Sequence, residues 1–168
     1  SIRRQRQMCI RDSYRKALEI RIAALGDKHP SVGDTYNNMA VVYNSQGKYD
    51  DALDYYQKSL KIKITAVGSD HLDVAKTQEN MANMYQKQSQ YQKALQIYES
   101  VLATKIRVCG QDHLDVAASY NNIGLVYKKQ GHYDKALEYY QKDLDITIRV
   151  VGHDHLDVAA SYNNIGSV

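Results

Sequence analysis

His113-Leu-Asp-Val-Ala-Ala-Ser-Tyr-Asn-Asn-Ile-Gly124 recurs unchanged as His155–Gly166, 42 residues further along the chain. The same spacing links His29 to His71 and His71 to His113. A fixed period of this size marks a stack of equivalent supersecondary units rather than one globular core. Such arrays mostly bind other macromolecules along an extended surface. The period therefore narrows function more than any single residue does.

Aligned by this period, the residues fall into columns. Met39, Met81, Ile123 and Ile165 form one, followed by the small residues Ala40, Ala82, Gly124 and Gly166. Tyr43, Tyr85 and Tyr127 come three further on, and Gly47, Ser89 and Gly131 four beyond those. Tyr49, Tyr91 and Tyr133 lead into Ala52-Leu53, Ala94-Leu95 and Ala136-Leu137, then into Tyr56, Tyr98 and Tyr140. Within a repeat, Tyr36, Met39, Ala40 and Tyr43 lie on one face of a first helix, helix A. Tyr49, Ala52, Leu53, Tyr56, Leu60, Ile64 and Val67 form the stripe of a longer helix B. Gly47 and Gly131 fall where a tight helix–helix turn needs positive φ, and Ser89 predicts a strained version of that turn. Ser31, Asp73, Asp115 and Asp157 are expected to N-cap each helix A. The chain has 15 Tyr but no Trp or Phe, so tyrosine carries the aromatic packing. The small column lets helix B approach helix A closely. The expectation is an all-α solenoid of seven or eight antiparallel helices wound into a right-handed superhelix.

These columns resemble the tetratricopeptide repeat. The family pattern reads here as Tyr36, Met39-Ala40, Tyr43, Gly47, Ala52 and Tyr56. The motifs Tyr-Asn-Asn-x-Ala/Gly, Gln-Gly-x-Tyr and Gly-x-Asp-His-x-Asp-Val-Ala, at this period, are similar to those of kinesin light chain and nephrocystin-3-like arrays. The resemblance covers residues 13–168.

The chain starts and stops out of phase with its repeats. A partial repeat at 13–26 precedes complete ones at 31–67, 73–109 and 115–151, and a truncated helix A follows at 157–168. Neither end carries the polar-faced helix that caps such arrays. The chain thus reads as a fragment of a longer array, with uncapped ends suited to self-association. Residues 1–12 are out of register: Gln7 replaces the column tyrosine, and Ile10 and Arg11 replace the Ala-Leu pair. The segment Arg4–Ser13 also resembles strings found in translated sequencing adapters, so residues 1–12 read as non-native, the alternative being a divergent boundary segment; either way they are expected to fray or form an undocked helical extension.

That segment carries the charge. The net charge is +3 for the whole chain. Residues 1–12 supply it, with Arg3, Arg4, Arg6 and Arg11 against Asp12, so the array itself is neutral. A nucleic-acid partner, which would require a basic face on the fold, is not expected. Nor is a membrane partner, because no apolar run is long enough to span a bilayer. Two cysteines, Cys9 and Cys109, make no disulfide framework, which points to a cytoplasmic protein.

No catalytic constellation stands out, and no enzyme activity or cofactor is expected. Histidines 29, 71, 113 and 155 occur one per repeat, too far apart to converge on a metal. They are expected to shape the loop before helix A. Cys109 lies near His113, but Val67–His71 and Val151–His155 share that spacing, so it reads as a property of the repeat.

The polar face of helix A is more informative. At about 100° per residue from the core stripe, Asn37, Val41 and Asn44 cluster on one side. Their counterparts include Lys76, Glu79, Asn83 and Lys87, then Asn121, Leu125, Lys128 and Lys129, then Asn163. Asn38, Asn80, Asn122 and Asn164 form an amide ladder beside them. The family resemblance implies that these columns line a concave groove that contacts peptides. Side-chain amides both donate and accept, so they can hold an extended backbone with little demand on its sequence. The expected function is a protein–protein interaction scaffold that grips a partner peptide, with cargo or adaptor recognition as its kinesin-light-chain-like form. Lys87, Lys128 and Lys129 suggest a partner of acidic character. The alternative is a regulatory or ligand-sensing array within a larger signalling protein.

Overall fold

The computed structural model describes residues 2–168, with the side chains of residues 2–4, 6 and 7 excepted. Among the described residues there are eight α-helices and no strand. They are α1 (Ile2–Leu25), α2 (Pro30–Ser45), α3 (Tyr49–Val67), α4 (Leu72–Lys87), α5 (Tyr91–Cys109), α6 (Leu114–Lys129), α7 (Tyr133–Val151) and α8 (Leu156–Gly166). The even-numbered helices are the A helices, and the odd-numbered ones are the B helices. Complete A helices span 16 residues and complete B helices 19. The chain divides into two compact units, Ser1–Gln88 and Ser89–Val168.

The start of every helix A differs from expectation. The caps are the histidines, not Ser31 and the aspartates. His29, His71, His113 and His155 have extended backbone at the N-cap position. The Nδ1 atom of each accepts from the backbone N–H two residues on, at 3.2, 3.2, 3.0 and 3.1 Å. The imidazole reaches the N–H that a shorter serine or aspartate cap would normally take. This displaces Asp73, Asp115 and Asp157 into the first turn, where their carboxylates complement the positive end of the helix dipole. Pro30 becomes the first helical residue, where a missing N–H costs nothing. The His113→Ala variant should therefore lose about 0.5–2 kcal/mol of stability, while His113→Asn should retain most of it. Urea denaturation checks this; equal midpoints for wild type and the alanine variant would refute the capping role.

The turns between A and B helices follow the glycine column. Gly47 and Gly131 have φ of +74° and +78°, and Ser89 is held at +59°. An L-residue in this region costs about 1–2 kcal/mol. Some of that gain is offset for Ser89→Gly by the greater freedom of glycine in the unfolded chain. The net expectation is a rise in stability of up to about 1 kcal/mol. A fall would mean that the Ser89 hydroxyl, 3.5 Å from the Tyr91 hydroxyl, outweighs the strain.

Each unit buries its own apolar stripe. In the first, Ala40 and Tyr43 of α2 meet Ala52, Leu53 and Tyr56 of α3, with Met81 and Met84 of α4 completing the cluster. Tyr55 stacks on Tyr43 with ring centroids 5.0 Å apart. In the second, Val116 and Ala117 of α6 pack with Ile146 of α7. Tyr127 and Tyr139 repeat the stack at 5.4 Å. Tyr56, Tyr98 and Tyr140 are the largest fully buried side chains, as a chain without Phe or Trp requires. Helix α1 runs without a break from Ile2 through the out-of-register segment, along which Met8, Cys9, Ile10 and Asp12 are exposed.

Candidate binding face

Within the first unit, the polar face of α2 presents Asn38 and Val41 to solvent, with Asn37 and Asn44 half-buried. Helix α4 brings Lys87 alongside. Its Nζ donates to Asn44 Oδ1 at 2.8 Å and lies 5.6 Å from the centroid of the Tyr49 ring. Asn80 and Asn83 are half-buried. Lys76 is exposed and sits 3.8 Å from the Glu79 carboxylate. Glu79, expected to line the groove, is only 5% exposed, so it offers little of its carboxylate to a ligand.

The second unit has the same construction on α6 and α8. Asn121, Asn122, Leu125 and Lys128 are half-buried, and Lys129 and Asn163 are exposed. Asn164 Nδ2 donates to Asn121 Oδ1 at 2.8 Å, and Lys128 Nζ donates to Ser167 Oγ at 2.8 Å. In both units, then, polar groups of neighbouring A helices bond to one another and leave further donors and acceptors facing outward.

Beneath this face lies a column that the sequence reading missed. Arg21, Lys63, Lys105 and Thr147 are spaced by the repeat along successive B helices. The first three project a cation toward the A helices. Arg21 donates to the Ser31 carbonyl oxygen and to the Thr35 hydroxyl. Lys63 Nζ lies 3.4 Å from Asp34 Oδ1. Lys105, 6% exposed, donates to the Asp115 carbonyl oxygen at 3.3 Å and the Ser119 hydroxyl at 3.1 Å. The fourth repeat breaks the pattern. Thr147 replaces the cation, and Asp143 appears one turn earlier, where Ala17, Ser59 and Val101 stand in the other repeats. The Ser161 hydroxyl, equivalent to Ser119, now donates to Asp143 Oδ2 at 2.8 Å, and Thr147 donates to Oδ1 at 3.4 Å. A cavity of about 340 Å³ opens here between α6, α7 and α8, lined by Asp115, Asn121, Asp143, Thr147, Asp157 and Asn164 among others.

Burial pushes the Asp143 carboxyl above its ordinary range, partly opposed by the hydrogen bonds from Ser161 and Thr147 and reinforced by the charge of Asp157. The facing titratable groups are Asp115 on α6 and Asp157 on α8, and no basic residue lines the cavity. A carboxyl whose pKa is raised in the folded state destabilises the fold as pH rises above the unfolded value of about 3.9. The Asp143→Asn variant should therefore gain stability relative to wild type between acid and neutral pH, with the gain absent in acid. A difference independent of pH would show that the folded and unfolded carboxyls titrate alike.

Among the described residues, one other cluster unites ligand-type side chains. Cys109, His113 and Asp115 place a sulfur, a nitrogen and an oxygen within 4.8 Å of one another. His113 Nδ1 is already the cap acceptor, and the Asp115 carboxylate lies 3.7 Å from it. The same pairs recur at His71–Asp73 and His155–Asp157, at 3.5 and 3.4 Å, without a thiol. Capping accounts for the pair, and Cys109 is its local addition.

Among the described residues, no helix is long and apolar enough to cross a membrane. The tetratricopeptide repeat pattern matches residues 10–65 and 73–147. No curated protein matches the chain. Among solved structures, BtubC (BKLC) from P. vanneervenii is 25% identical, with a TM-score of 0.78 over 92% of this chain. This chain spans 61% of BtubC's length. A putative kinesin light chain of Podosopora anserina, with nearly identical TPR-like repeats, shares the fold at 20% identity and a TM-score of 0.81, covering 98% of this chain and 78% of that one. The apo form of RapI shares it at 18% identity and a TM-score of 0.79, covering 99% and 58% respectively. The chain belongs to the tetratricopeptide repeat family, as an all-α array whose repeats resemble those of kinesin light chain.

Proposed function

We propose that this array is a non-catalytic scaffold that grips an extended or helical segment of a partner protein along the polar face of its A helices. The observation that carries this is the bridging of neighbouring A helices by Asn164–Asn121 and Lys87–Asn44. These bridges fix the side chains in place while amide and ammonium groups remain to meet a ligand, so little rotamer freedom is lost on binding. The bound segment has acidic character. Lys128 and Lys129 stand together at the C-terminal end of α6, where the helix dipole also favours cations. Exposed charge contacts contribute about 1 kcal/mol or less each, so affinity is micromolar in class and weakens with salt. Two free cysteines fit a reducing, cytoplasmic setting for such a scaffold.

The test is charge reversal. The Lys128→Glu/Lys129→Glu variant, titrated with capped acidic and basic peptides at low and moderate salt, should lose affinity for the acidic peptide by at least tenfold. Unchanged affinity, or a preference of wild type for the basic peptide, would overturn the acidic-segment reading.

A further inference from the structure

The cavity between α6 and α8 lies where the repeat elsewhere supplies its own ammonium group. In the first unit, Lys63 rises from α3 to reach Asp34 on α2. In the second, Lys105 rises from α5 to meet the first turn of α6 and the Ser119 hydroxyl. At the equivalent place on α7, Thr147 is too short to do either. The position equivalent to Asp34 is Ala118, which lines the same cavity and leaves it wide. A carboxylate that the other repeats lack has been added one turn away. Asp143 is only 6% exposed, and its oxygens accept from two hydroxyls but face no cation in the cavity lining. A buried carboxylate without a counter-charge is costly, and hydroxyl donors compensate only in part.

We propose that this cavity is a subsite for one lysine side chain of the bound segment, whose ammonium group takes the place left by the missing column lysine. The inference deepens the scaffold reading and rests on it for the source of that lysine. The ammonium group would sit between Asp143 and the rim carboxylates Asp115 and Asp157, with its stem against the methyl groups of Ala118 and Ala160. The Asn164–Asn121 bridge crosses the same cavity lining and would hold the main chain of the segment above it. A metal ion fits less well. Among the described residues, the group of His, Cys and acidic side chains that converges within 4.8 Å is the one at Cys109, and it does not include Asp143 or Asp157. The face thus has two poles on α6: lysines near the C-terminal end and this anionic floor near the N-terminal end. A segment matched to both carries a lysine at one end and acidic residues at the other.

The experiment is a titration of the full chain, followed by amide NMR, with two capped amino acids: Nα-acetyl-lysine methylamide and its norleucine counterpart. The lysine probe should shift the resonances of Asp143, Ser161 and the Asn164 side-chain amide, and norleucine at equal concentration should not. Asp143→Asn should weaken the lysine probe at least tenfold. Thr147→Lys, which restores the column lysine, should abolish the response and raise the thermal midpoint. Equal shifts from norleucine, or an undiminished response in Thr147→Lys, would overturn the subsite. The capped acidic peptide is titrated into the same samples. If it fails to bind while the lysine probe succeeds, the scaffold reading fails and the subsite stands. If it binds through Lys128 and Lys129 while the lysine probe gives no response, the subsite alone fails.

Discussion

Tyr140→Ala should destabilise the second unit by about 3–5 kcal/mol, the range for truncating a large buried aromatic side chain. Tyr140 is 2% exposed and packs its ring against Gly124 of α6. No Trp or Phe exists elsewhere in the chain to share the packing. A repeat array contacts itself mainly through nearest neighbours, so the loss falls on α6, α7 and α8 rather than being spread over the whole chain. Equilibrium urea denaturation gives the magnitude. Hydrogen exchange should show early opening of α6 to α8 while α2 and α3 keep their protection. A loss below about 1 kcal/mol would contradict the packing described here.

Gly124→Leu is the complementary change. A Cβ added at Gly124 would lie 2.9 Å from two ring carbons of Tyr140 and 3.3 Å from the Ala136 carbonyl oxygen. The ring can give way only within a fully packed interior, and the Ala136 backbone cannot do so without shifting α7. The overpacking cost is about 1–3 kcal/mol or more. The two substitutions touch one another, so their effects should not add. In Gly124→Leu/Tyr140→Ala, the leucine occupies space vacated by the ring, and the double variant should be more stable than the sum of single losses implies. Simple additivity would place the close approach of α6 and α7 elsewhere.

Much of this architecture is legible in the sequence because repetition reinforces it. Any one run of apolar residues is ambiguous, but a small residue three positions before a tyrosine, three times over, fixes which faces of A and B meet. The turn chemistry was equally readable: Ser89 adopts the positive φ that its column demands. The caps were misread because aspartate is a strong N-cap by composition, and the rule for capping favours it over histidine. What decides the matter is reach: Nδ1 of an extended histidine meets the N–H two residues on, and the aspartate then serves the dipole instead. Glu79 was misplaced for a similar reason, since register alone cannot say how deeply a neighbouring helix covers a side chain. The Asp143–Thr147 exchange was visible as a break in the Arg21, Lys63, Lys105 column. Periodicity marks the A helices as the face, whereas its floor is furnished by B helices. The register alone could not show that the lost lysine leaves a cavity.

The proposed scaffold holds its partner segment along the A helices. The most direct test is to map a capped peptide, acidic at one end with a single lysine at the other, onto the chain by amide chemical-shift changes. The largest changes are expected on α6 and α8, at Asn121, Asn122, Lys128, Lys129 and Asn164, with Asp143 and Thr147 responding beneath them. Changes centred instead on the outward B-helix residues Glu138 and Lys142, or no saturable change at all, would contradict it.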